Sequence, residues 1–122
     1  NWNENYSFKV DTLRFSNILK ICKGVNDCIK FQTFDNELFI SSKNNNVSFK
    51  TKIEINYTAI SSEPIYINSF MVHDFVLMSL NGNNKTLSVS FYNNFFSAKY
   101  DSYNIYIAPL ILTEFTSDLT LK

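Results

Sequence analysis

Between Glu63 and Leu80 a short strand, Ile65-Tyr-Ile67, breaks at Asn68-Ser69 and turns at once into an apolar helix. The chain does the same thing earlier. Tyr6, Phe8 and Val10 alternate with Ser7 and Lys9 as in a half-buried strand, and Asp11-Thr12 then caps a helix. In that first helix Phe15, Ile18, Leu19 and Cys22 fall at i, i+3, i+4 and i+7, an apolar stripe for a core. The wheel turns Ser16, Asn17, Lys20 and Lys23 outward, and Gly24 is the expected residue just past the helix end. A strand, a cap and a helix, met twice in one domain length, leave few architectures open.

Extended runs follow each helix. Ile29 to Phe34 and Leu38 to Ile40 flank Asp35-Asn-Glu37 as a hairpin. Val47 to Ile55 sets Val47, Phe49, Thr51, Ile53 and Ile55 on one side against Ser48, Lys50, Lys52 and Glu54 on the other. After the second helix, Asn81-Gly82-Asn83-Asn84 makes a turn, Leu87, Val89 and Phe91 alternate with serines, and Phe95 to Tyr100 returns across Asn93-Asn94. Asn104 to Leu112 is the last extended run. The expected fold is α+β: two pseudo-repeated β-α-β-β-β halves, two antiparallel sheets, and both helices on one face.

With 122 residues, 45% apolar and 16% aromatic, the chain builds one core and one domain. Eleven basic and eleven acidic residues cancel, so only local segregation of charge can recruit a polyanion. No apolar run approaches a membrane span of roughly 18 residues, and no secretion signal opens the chain. It begins on Asn1 rather than Met, which suggests an excised domain. Cys22 and Cys28 have one His for company, which excludes a zinc site and leaves buried thiols as the expectation. Two glycines cannot make a phosphate loop, and no nucleophile–base or metalloprotease motif is present. His73 has no nucleophile tied to it, so neither enzyme chemistry nor a cofactor is expected.

These residues, in this order, resemble one domain of the bacterial replicative sliding clamp, the β subunit of DNA polymerase III, and most resemble its last domain. The likeness runs from about Tyr6 to Leu112, a core of 6–112 with an extension of 113–122. It rests on Ile65-Tyr-Ile-Asn68 entering the helix Phe70 to Leu80, on Ile105-Tyr-Ile-Ala-Pro-Leu-Ile-Leu112 as the closing strand, and on Asp35-Asn36 before Leu38-Phe-Ile40. It departs from the family at Ala108, where Met is usual, at Ile111, where Arg is usual, and at Met71, near a frequent Tyr.

The resemblance implies a non-enzymatic, cytoplasmic processivity factor that works with further domains of its kind in a ring. Its helices would face double-stranded DNA and touch phosphates without reading bases, through Arg14, Lys20 and Lys23. Short motifs of polymerase, clamp loader or repair proteins would dock against Asn68, Met71, Tyr106, Ala108, Pro109, Leu110 and Leu112. The alternatives are a phage or plasmid clamp mimic that does not encircle DNA, or a β-rich surface adhesion domain. A Cys22–Cys28 disulfide and occupied glycosylation sequons at Asn5, Asn46, Asn56 and Asn84 would favour the adhesion domain.

Overall fold

The structure is a computed structural model that describes residues 4–55, 64–92 and 95–109. Its elements run β1 (Glu4–Asp11), α1 (Thr12–Val25), β2 (Cys28–Phe34), β3 (Glu37–Lys43), β4 (Ser48–Glu54), β5 (Ile65–Asn68), α2 (Ser69–Asn81), β6 (Thr86–Tyr92), β7 (Phe95–Lys99) and β8 (Ile105–Pro109). The two β-α-β-β-β halves are there, but they are not two separate sheets. One sheet has the order β1-β6-β7-β8 and the other β4-β3-β2-β5. Each half therefore lends its first strand to the sheet of the other half. Every pairing is antiparallel.

Local chemistry sets the boundaries. Asp11 caps α1 by accepting the Arg14 N–H at 2.8 Å, and Asn68 caps α2 by accepting the Phe70 N–H at 3.0 Å. The β2–β3 hairpin turns on Asp35-Asn36, with Asp35 in the left-handed region at φ 62°. Gly24 does not end α1, contrary to the sequence expectation; the helix runs one residue further and stops at Asn26, whose backbone is extended. The Asn26 side chain explains the stop. Its amide donates to the Lys43 carbonyl at 2.7 Å while its oxygen accepts the Cys28 N–H at 3.0 Å, which starts β2. The Asn26 carbonyl accepts from the Ser69 hydroxyl at 3.2 Å, so the start of α2 is tied to the end of α1.

The core is continuous across both sheets and both helices. Phe31 of β2 lies 6.2 Å from Phe15 of α1 and 6.1 Å from Phe96 of β7, and all three are fully buried. Truncating a ring so placed costs about 3–5 kcal/mol. The burial of β4 follows the expected alternation, but only Ile53 and Ile55 are sealed, because β4 is a sheet edge, and Val47 just before it is half exposed. Among the described residues no helix is long and apolar enough to cross a membrane.

Candidate DNA-facing helices and peptide groove

α1 and α2 pack on one another, and two neighbours change which face of α1 is free. Sequence periodicity turned Ser16 outward, yet it is 3% exposed. Ser16, Leu19 and Lys23 form one row of the helix, and Lys23 meets α2, its ammonium 5.5 Å above the Phe70 ring. α1 thus buries one side on the sheets and a second on α2, and a one-stripe wheel misplaces the side between them. What remains exposed is Leu13, Arg14, Asn17, Lys20, Ile21 and Gly24.

The three expected DNA-facing cations are not one cluster. Arg14 sits at the start of α1 and donates from its guanidinium to the Lys52 carbonyl of β4 at 3.1 Å. Its neighbours there include Glu37 and Glu54 as well as Lys9 and Lys52, a cleft of mixed charge. Lys20 and Lys23 lie at the other end of α1, Lys20 exposed and Lys23 half-buried against Phe70. Both act on His73, which is 4% exposed. Burial holds the His73 imidazole below its usual range, the Lys23 and Lys20 charges push the same way, and Asp74 opposes them. Neither ring nitrogen of His73 has a hydrogen-bond partner, so it packs as an apolar ring.

The expected peptide residues divide in a similar way. Asn68 is exposed at the start of α2, and Met71, 61% exposed, follows one turn later. Tyr106 does not line an open floor. It stands opposite Ala98 on the inner face of its sheet, half-buried, with its ring 5.5 Å from Phe75 and 6.3 Å from Phe96. That burial raises the pKa of its hydroxyl. Ala108 and Pro109 end β8 opposite Phe96 and Phe95, and Leu110 and Leu112 lie outside the described residues.

Phe75 and Met78 were missed, though their spacing shows them. Met71, Phe75 and Met78 fall at i, i+4 and i+7 on α2, with Phe75 packed on Tyr106 and Tyr100 and both methionines 61% exposed beside it. The outcome is a sulfur-flanked apolar row along α2 next to β8. The cysteines sit apart from both regions. Cys22 belongs to the main core, and its thiol is pushed up to about 12 by burial. Cys28 packs with Tyr66 in a separate small cluster; burial first, and the Asp27 charge second, push it up to about 11. Both are free.

Two mixed halves, exchanged first strands and a helix pair over two four-stranded sheets define the fold of a DNA sliding-clamp domain. Solved structures that share it include β subunits of DNA polymerase III. The subunit from Pseudomonas aeruginosa aligns with TM-score 0.75 and 10% identity over 91% of this chain and 31% of its own. The Helicobacter pylori β clamp bound to a DNA ligase peptide aligns with TM-score 0.73 and 11% identity, over 87% and 31%. The Borrelia burgdorferi subunit, in complex with a natural product, aligns with TM-score 0.71 and 18% identity, over 88% and 32%. This chain therefore spans about one third of the length of the clamps it resembles, one domain of each. No family model matches the chain, and no curated protein matches it by sequence.

Proposed function

We propose that this chain is one domain of a DNA sliding clamp, a non-enzymatic processivity factor that helps encircle duplex DNA and docks short motifs of replication and repair proteins. The observation that carries this reading is that nearly the whole chain aligns with a single clamp domain. Assembly into a ring is supported by β4 and β8, which are sheet edges among the described strands and could each receive another strand. Each edge has apolar residues suited to a further clamp domain: Leu13, Ile21 and Phe49 near β4, and Ile107 on β8. Lys20 and Lys23 would approach the phosphates as mobile, salt-sensitive contacts. The α2 row of Met71, Phe75 and Met78 supports docking of Leu and Phe anchors, since thioether side chains adapt to varied shapes. A DNA ligase peptide bound to the Helicobacter pylori clamp supports that class of partner.

Titrating labelled protein with a Gln-x-x-Leu-Phe-type peptide tests the platform. Burying one Leu and one Phe removes roughly 200–300 Å² of apolar surface, which after ordering costs corresponds to micromolar affinity. Met71→Asp and Met78→Asp should each abolish the shift. A peptide that binds both variants like the wild type, or none of them at millimolar concentration, would refute the groove. The DNA arm uses Lys20→Glu/Lys23→Glu in the assembled ring, where loading or retention should fall while folding persists.

One specific observation favours the clamp mimic as the second reading. Arg14, though exposed, is held to β4, and Lys23 lies half-buried against Phe70, which leaves Lys20 as the exposed cation of the three that no described hydrogen bond or ring contact ties down. Peptide docking by a wild-type assembly that is neither loaded onto nor retained on duplex DNA would support it. The adhesion reading has less support, because Cys22 and Cys28 are buried in different clusters.

A further inference from the structure

A second group of lysines lies on the outer face of one sheet, away from the helices. Ile29, Phe31 and Thr33 of β2 point into the core, so Lys30, Gln32 and Phe34 point the opposite way, onto the outer face. Cross-strand register places Lys30, Ser41 and Lys50 in one row over β2, β3 and β4, with the two lysines about 10 Å apart by strand spacing. The next row sets Gln32 beside Phe39, and the Lys50 ammonium lies 5.8 Å above the Phe39 ring. Phe34 is 57% exposed at the end of the strand. Together with Lys43 these residues line an open cleft of about 470 Å³ to which no described acidic residue contributes. Glu37 and Glu54 lie at the far end of this face, in the row of Phe34, where Lys52 engages Glu37 at 2.9 Å.

We infer that this outer sheet face binds single-stranded nucleic acid. Lysines spaced across three strands suit successive phosphates, and rings lying on the open face give bases a surface on which to stack. An acidic protein segment is the competing occupant, and the backbone argues against it. The N–H and C=O groups of β2 and β3 are paired on both sides, with β5 and β3 and with β2 and β4. An extended peptide laid on this face therefore gains no main-chain ladder, whereas a stacked base needs none. The face is opposite to the one that packs the helices, so the inference stands apart from the duplex contact proposed above.

Fluorescence anisotropy of a labelled oligothymidine of about twelve nucleotides, titrated with the intact chain at low salt, tests it. Binding should weaken at least about tenfold in Lys30→Glu/Lys50→Glu, through loss of phosphate contacts. It should weaken about fivefold in Phe34→Ala, through loss of one stacked base. Lys99→Glu on β7, in the other sheet, should leave it unchanged, and circular dichroism should show each variant folded. Absence of binding, or an unchanged charge variant, overturns the inference. It also falls if a duplex of equal length binds more tightly and that binding is lost in Lys30→Glu/Lys50→Glu. If an oligoglutamate peptide displaces the strand as well as unlabelled oligothymidine does, and Phe34→Ala is silent, the face is an acidic-protein site.

Discussion

His73 shows how a single residue records its neighbourhood. Sequence reading dismissed it as a catalyst on the absence of partners in motif; its burial without any hydrogen bond was not legible, because nothing in α2 says what packs over it. Folding lowers the imidazole pKa, so the folded protein favours the neutral ring and the unfolded chain takes up the proton first. Its contribution is fully present above the unfolded value near 6.5 and is lost as pH falls below it, toward the lower folded value. Urea unfolding should therefore show declining stability from about pH 7 to pH 5. In His73→Leu that slope should shrink, with a gain of about 1 kcal/mol at neutral pH from removing two unpaired nitrogens. Identical slopes in both proteins would contradict this account.

Among elements, α1 carries the most instructive mismatch. Its core stripe of Phe15, Ile18, Leu19 and Cys22 was plain from the 3.6-residue period, and all four are buried. Its end and its second buried side were not, because both depend on partners distant in the chain. Asn26 stops the helix through Lys43 and Cys28, and α2 covers the row that holds Ser16. The strands were legible for the same reason as the stripe, through period-two alternation, as in Leu87 and Val89 of β6. Of the candidate site residues, the exposure of Asn68 and Met71 follows from the cap and its helix, whereas the inward turn of Tyr106 depends on the Ala98 register. Gly24 offers a direct test of α1. It is helical and not left-handed, and a Cβ there meets nothing within 4 Å. Gly24→Ala should stabilise the protein by about 0.5–1 kcal/mol in thermal or urea melts. Destabilisation would mean the helix ends at Gly24 after all.

At the scale of the whole molecule, the exchanged first strands couple the two halves. β1 finishes the sheet of β6, β7 and β8, and β5 finishes the sheet of β2, β3 and β4, while Phe31 and Phe96 close one core between them. No alternation pattern announces this, since β1 reads as a strand whichever sheet receives it. Neither half should fold alone. Separate fragments 1–63 and 64–122 should each lack a cooperative unfolding transition, and mixing them should restore native circular dichroism. A fragment that melts cooperatively by itself would show the halves to be independent. The exchange also sets a timetable for biosynthesis. β1 is made before its partner β6, which ends at Tyr92, so both helices and the strands between them emerge before β1 can pair. Until then Phe8 and Val10 lie on an open strand, and a nascent chain of this design depends on fast elongation or a holding chaperone to stay unaggregated.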